Sequence, residues 1–379
     1  MSIPKGWEEV RLGDICDKLG DGIHTTPKYD DNGEYFFING NNLENGKIVF
    51  KEDTKRASEE EFIKHKRELN DRTILVSING TLGNVATYNN EKCILGKSAC
   101  YFNVSQGVSK EFIKQVVMHR DFQNYIRLSA TGTTIPNVSL AVMRTYKFKL
   151  PPLKEQEKIA EILSSCDEHI KNLKNLKSEL EKEKLHLMNE LLSGKTRFSS
   201  FTTPWQEVTL ADTCDIQKGQ QLNKLNLQEN GKFPVINGGI EPSGYYDEFN
   251  TQENTITISE GGNSCGYVNF LTTKFWSGGH CYTLQNVKID NKFLYFYLKY
   301  QEKDIMKLRL GSGLPNIQKG SISAVIIKYP SLEEQKKIGE VLSACDERLE
   351  CLNELITAQT TLKSHLLTEL LSGNIRVNT

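Results

Sequence analysis

Apolar and polar positions follow two rhythms that alternate twice along the chain. Short apolar runs of strand length come first, among them Phe37-Ile38 and Thr73-Ile74-Leu75-Val76-Ser77, and Gly/Asn-rich loops close them. After Pro151-Pro152 the period changes. Apolar or neutral residues then recur at Ile159, Leu163, Cys166, Ile170, Leu173, Leu180, Leu187 and Leu191, in steps of four and three, with Lys177 and Lys184 at the two missing stations. No proline or glycine interrupts this stretch before Gly194. The same seam returns after Pro330 at Ile338, Leu342, Cys345, Leu349, Leu352, Ile356, Leu366 and Leu370. The pattern predicts two long helices, the first over residues 154–192, about 57 Å at 1.5 Å per residue. Compact domains rarely need such a helix, so each requires a long partner, and the other copy is the obvious one. The alternative is that part of each seam packs on its own globular domain.

The seams belong to an internal repeat. The stretch from Pro136 to Glu168 recurs without a gap from Pro315 to Glu347, an offset of 179 residues that holds to Arg197 and Arg376. The copies agree at Leu153 and Leu332, Glu155 and Glu334, Gln156 and Gln335, and at the seam positions that follow. The heads of the two halves match at an offset of 198, with Trp7, Val10, Leu12, Asp14 and Cys16 answering Trp205, Val208, Leu210, Asp212 and Cys214. The first variable block is therefore nineteen residues longer than the second, and this surplus is expected between Gly40 and Thr73. Between the markers Phe37-Ile38-Asn39-Gly40 answers Val235-Ile236-Asn237-Gly238, Thr73–Ser77 answers Thr255–Ser259, and Cys100-Tyr101 answers Cys281-Tyr282. Four segments result: variable 1–150, constant 151–198, variable 199–328 and constant 329–379. Antiparallel pairing of the helices would relate the halves by a pseudo-twofold axis and place two nonidentical heads at a fixed separation, as a reader of a split target requires.

Composition narrows the function. With 379 residues, 38% of them hydrophobic, the chain can bury more than one core. No run of eighteen apolar residues exists, and Met-Ser-Ile-Pro-Lys-Gly-Trp is unlike a signal peptide, so a cytoplasmic protein with no membrane partner is expected. The nine cysteines form no Cys-x-x-Cys pair and read as reduced core residues rather than disulfides or zinc ligands. A formal net charge of −1 supplies no general affinity for nucleic acid, so any DNA binding must come from local placement of charge or from partner subunits.

Two pairs of loops suit such local placement. Ser77-Ile78-Asn79-Gly80-Thr81-Leu82-Gly83-Asn84 corresponds to Ser259-Glu260-Gly261-Gly262-Asn263-Ser264-Cys265-Gly266. Their glycines permit close approach to a phosphate backbone, and Asn79 or Asn263 can bond a base edge, although an ordinary tight hairpin explains the same residues. Thr131-Gly132-Thr133-Thr134-Ile135-Pro136-Asn137 corresponds to Leu310-Gly311-Ser312-Gly313-Leu314-Pro315-Asn316. Hydroxyls at Thr133, Thr134 and Ser312 suit phosphate, whereas Pro136-Asn137, present in both copies, suits a structural role. Sequence reading belongs where the halves differ, which favours Lys97 and Ser98 beside Lys274 and His280, with Ser77, Thr81, Ser259, Asn39, Asn41 and Asn237 as further candidates. In the insertion, Lys51, Lys55, Arg56, Lys64, Lys66 and Arg67 alternate with acids, a solvated amphipathic helix or a DNA-backbone contact.

Catalysis is not expected. The chain lacks an Asn/Asp-Pro-Pro-aromatic methyltransferase motif and a phosphate-binding loop, and Asp167-Glu168 and Asp346-Glu347 lie within the seams without the lysine spacing of a nuclease.

Gly6-Trp7 and Pro204-Trp205 at the heads, Pro151-Pro152-Leu153 with Glu155, Gln156 and Ile159, and the second copy with Tyr329-Pro330-Ser331-Leu332, together resemble the specificity subunits of type I restriction-modification systems. The resemblance covers essentially the whole chain. It implies an α+β protein in which two similar mixed α/β target-recognition domains are separated by two long helices forming an antiparallel coiled coil. It also implies a non-catalytic subunit whose domains each read half of a bipartite site in double-stranded DNA, while the helices set the spacer and dock two modification subunits. Restriction subunits, and S-adenosylmethionine, ATP and Mg on those partners, are implied as well. A two-headed protein-binding scaffold is the alternative.

Overall fold

The computed structural model describes residues 3–132, 134–311, 313 and 315–378. The chain forms two compact units: Met1–Leu173 with Leu355–Thr379, and Lys174–Glu354.

Each unit holds one head, and the two heads share a topology. In the first, a four-stranded antiparallel sheet runs in the order Cys16–Asp21, Ala99–Val104, Thr73–Ser77, Val85–Thr87. In the second the order is Asp215–Lys218, Cys281–Gln285, Thr255–Ser259, Val268–Leu271. Side-chain alternation explains why the central strands are wholly buried. Ile74 and Val76 face one core cluster while Leu75 faces another. Ile256 and Ile258 likewise share a core face. A smaller three-stranded sheet in each head combines a parallel and an antiparallel pairing: Arg56–Ala57, Tyr35–Ile38 and Cys93–Leu95, against Tyr245–Tyr246, Phe233–Ile236 and Trp276–Ser277. A two-stranded strap, Glu8–Arg11 with Lys147–Leu150 or Gln206–Thr209 with Ile326–Tyr329, ties the start of each head to its end.

Strand register corrects one equivalence. Ala99 pairs with Ser77 and Cys281 with Ser259, so Cys281 is the counterpart of Ala99, and Cys100-Tyr101 is displaced by one from Cys281-Tyr282. A one-residue slip exchanges the two faces of a strand. Accordingly Cys100 shares the helix-side core with Phe102, and the residue in that place in the second head is Tyr282. The surplus is also divided. The offset falls from 198 at Asn39 and Asn237 to 182 at Ser77 and Ser259 and to 179 at Pro136 and Pro315, so sixteen extra residues lie between Gly40 and Thr73 and three beyond the sheet. The insertion is mostly not helical. It contains a 3-10 turn at Gly40–Asn42, a hairpin of Leu43–Glu44 with Lys47–Ile48, the strand Arg56–Ala57 and a seven-residue helix Glu59–His65. Its cations are largely engaged within the protein: Lys51 with Glu44, Lys64 with Glu61, Arg56 over the Phe36 ring, and Arg67 on the carbonyls of Asp21 and Gly22.

The long helices span Leu153–Leu192 and Leu332–Ser372. Every seam residue is buried or half-buried, whereas Leu176, Leu185, Leu355 and Leu362, off the seam, are exposed. Gly194 and Gly373, at φ of 71° and 75°, follow the two helices in the left-handed conformation that terminates them. In the first unit the beginning of one helix and the end of the other run antiparallel, linked by Asp167 with Lys363 and Glu155 with Arg376. In the second unit Asp346 with Lys184 and Glu334 with Arg197 make the corresponding links. The outer stations have a second role. Ile159, Leu163, Leu366 and Leu370 pack into the first head, and Leu187, Leu191, Ile338 and Leu342 into the second, so these positions join helix to head as well as helix to helix.

The repeated Glu-Gln doublet is the hinge of this packing. Gln156 donates to Pro151 O and accepts from Ser109 N–H, at 2.7 and 2.8 Å, and Gln335 does the same with Pro330 O and Asp290 N–H, at 2.8 Å each. Glu155 accepts from the Trp7 indole at 3.0 Å and is gripped by both Nε and Nη2 of Arg376. The cysteines carry no disulfide; five are buried, three half-buried, and Cys351 is exposed rather than in the core.

Candidate nucleic-acid interface

At one end of each four-stranded sheet three segments converge. In the first head Gly80 N–H donates to Pro136 O at 2.9 Å, Asn79 Nδ2 to Asn137 Oδ1 at 3.1 Å, and Ile78 N–H to Ser98 O at 2.9 Å. In the second, Gly262 N–H donates to Pro315 O at 3.0 Å and Glu260 N–H to His280 O at 2.9 Å. Gly80 and Gly262, at φ of 72° and 80°, make the turns that permit this convergence. The result is an open concavity in each head. That of the first encloses about 370 Å³ and is lined by Asp21, His24, Asn79, Lys97, Asn137 and neighbouring residues. That of the second encloses about 410 Å³ and is lined by Lys218, Glu260, His280, Asn316 and three glycines with Pro315.

The candidates from sequence divide sharply. Asn79 and Lys97 line the first concavity and His280 the second. Thr81 and Thr134 are exposed on its loops, as Asn263 is on the second, and Asn41 is exposed on its 3-10 turn. Thr133 and Ser312 lie outside the described residues. Five others serve the scaffold. Ser77 is buried and accepts from Asn84 N–H at 2.8 Å; Ser259 is buried and donates to Gly238 O at 2.8 Å. Ser98 accepts from Gly40 N–H at 2.8 Å and donates to Asn39 Oδ1 at 3.0 Å. Asn39 and Asn237 fill the room left by Gly96 and Gly278, where any Cβ would collide with their Oδ1 atoms. A sixth, Lys274, stacks over Phe249 at 4.7 Å and is not among the residues lining the concavity.

The sequence pointed to the loops and missed what faces them. Asp21, Lys218 and Glu260 were not singled out. The first two sit at the ends of the strands Cys16–Asp21 and Asp215–Lys218, and only strand pairing brings them beside loops far away in sequence. Glu260 is 8% exposed, with Lys218 Nζ and the Tyr282 hydroxyl at 2.5 and 3.1 Å from Oε1 and His280 Nδ1 at 3.3 Å from Oε2. Burial works against its charge, but these donors outweigh it and hold the carboxyl below its ordinary value. Burial pushes the Tyr282 hydroxyl up to about 12, so it remains a donor.

Among the described residues no group of three or more His, Cys, Asp or Glu is placed to hold a metal ion, and no helix is long and apolar enough to cross a membrane.

The model of the type I restriction modification DNA specificity domain matches twice, at residues 4–182 and 202–359. A putative type I specificity subunit of Mycoplasma pneumoniae is 39% identical over 163 residues, 42% of this chain and 43% of that protein. The type I restriction enzyme MjaVIII specificity subunit of Methanocaldococcus jannaschii is 25% identical over an alignment covering 100% of this chain and 95% of its own. The crystal structure of a type I restriction-modification S subunit from M. genitalium superposes with a TM-score of 0.67 at 23% identity, covering 98% of each chain, which establishes a common fold.

Proposed function

Because the chain belongs to the family of type I restriction modification DNA specificity domains, of which it carries two, we propose that each head reads one half of a bipartite, asymmetric site in double-stranded DNA. The observation that carries this reading is the pair of concavities: one hydrogen-bonded scaffold, built twice, with different side chains on its surface. A shared frame with exchanged contacts is what two related but different half-sites require. The near-neutral chain fits a subunit that works within an assembly, where partners contribute phosphate contacts. The paired helices act as the spacer between half-sites and offer their exposed faces to two modification subunits. One solved chain of the same fold, with a TM-score of 0.62, comes from a study of complex assembly in a type I R-M system, which supports this partnership. The chain contributes recognition without chemistry of its own. S-adenosylmethionine belongs to the modification subunits, and ATP and Mg to restriction subunits.

The test is single-molecule sequencing of adenine methylation in cells expressing this chain with its modification subunit, against cells lacking this chain. A bipartite motif present only with the chain supports the proposal. Identical methylation in both strains defeats it and favours a two-headed protein scaffold.

A further inference from the structure

Because the concavities share a scaffold, each position in one has a counterpart in the other. Asp21 pairs with Cys100 and Lys218 with Tyr282, and Cys100 and Tyr282 each follow the residue that pairs with Ser77 or Ser259. Asp21 and Lys218 therefore occupy the same place. Ile78 and Glu260 are likewise equivalent: their amides donate to Ser98 O and His280 O, and their carbonyls accept from Val138 and Ile317 at 2.8 Å each.

The chemistry at that shared place is inverted. In the first head it is a carboxylate, 23% exposed, with His24 Nε2 at 2.8 Å from Oδ2 of Asp21. In the second it is an ammonium, 51% exposed, anchored by a carboxylate that replaces the buried Ile78. Glu260 is a positioning residue there. Lysine has three protons to donate and the contact with Glu260 uses one, leaving two for the concavity, with His280, 65% exposed, beside it. Asp21 repels phosphate, so a backbone contact does not explain it.

We propose that the two heads read opposite base chemistries at this position: Asp21 accepts from the exocyclic amine of cytosine or adenine, and Lys218, held by Glu260 beside His280, donates to O6 and N7 of guanine. The inference rests on the DNA-reading function proposed above. In the major groove a carboxylate faces only acceptors at guanine, and an ammonium meets an amine at cytosine or, at adenine, an amine beside a single acceptor, so each group disfavours the other's base.

The experiment uses the full chain with its modification subunits and compares the methylated motif of the wild type with those of Asp21→Ala and Lys218→Met. Asp21→Ala is expected to relax one cytosine or adenine position in one half-site, and Lys218→Met one guanine position in the other. A second measurement needs no variant: wild-type complex is titrated with duplexes of its own motif carrying 7-deazaguanine in place of each half-site guanine. Binding about ten-fold weaker is expected at the half-site that Lys218→Met alters, or, if that variant abolishes methylation, in one half-site only. A wild-type motif that neither variant nor 7-deazaguanine changes overturns the inference and leaves the function standing. Uniform weakening by Lys218→Met across all sequences places it on phosphate and also overturns the inference. Absence of any wild-type motif removes the reading beneath it.

Discussion

Glu155 shows how a single carboxylate is committed to structure. It is 4% exposed, accepts from the Trp7 indole, and meets Arg376 in a two-pronged pair. Burial opposes its ionisation, yet the bonds from Arg376 and Trp7 prevail, and its folded-state value lies below the ordinary 4.5. A lowered carboxyl contributes stability in full above that ordinary value and loses it as pH falls through the folded one. Glu155→Gln should therefore be less stable than wild type near neutrality, with the difference shrinking on acidification below 4.5. Urea midpoints of both proteins measured from neutral pH down to the onset of acid unfolding check this; parallel curves would contradict it. Residues of this kind were legible in the sequence because Trp7, Glu155 and Gln156 recur in the second copy. The opposed Asp21 and Lys218 were not. They occupy one place in space at an offset of 197, one short of the 198 that relates the head markers, because a register shift beside Asn103 and Val104 puts one extra residue in the first head's strand, and the sequence alone does not show that shift.

Among the elements, the long helices were the most readable, since a seam repeated at four and three admits one face only. Their stations nevertheless divide into two environments that periodicity cannot separate. Leu163 is fully buried within the first head's core, whereas Leu180 is half-buried and belongs to neither head's core; Leu185, off the seam, is 60% exposed. Leu163→Ala is expected to cost roughly 2–5 kcal/mol and Leu185→Ala no more than about 0.5 kcal/mol, measured by urea denaturation of the full chain. Equal losses would mean that the helix is held by something other than this core. The insertion after Gly40 illustrates the opposite case. Alternating cations and acids suggested a solvated helix, but Arg67 reaches the carbonyls of Asp21 and Gly22 and Arg56 lies on an aromatic ring, contacts that depend on which loops meet.

For the molecule as a whole, duplication has separated a repeated frame from the differing side chains it carries. The Glu155–Arg376 and Glu334–Arg197 pairs join residues of the constant blocks to one another, so exchange of a head leaves both ion pairs in place. Replacing residues 7–135 by the corresponding segment of another specificity subunit should change one half of the methylated motif and spare the other. Sequencing of methylated adenines checks this, and simultaneous change of both halves would refute modular reading.

The division of the chain has a further consequence during synthesis. The second unit is a continuous stretch, Lys174–Glu354, whereas the first consists of Met1–Leu173 together with Leu355–Thr379. Domains generally fold as their residues leave the ribosome. Here the first head must wait for residues translated after the second: Leu366, Leu370 and Arg376, which close its core and its ion pair, follow the whole of the second head in the chain. Of the two heads, the one made before the other is the one finished after it.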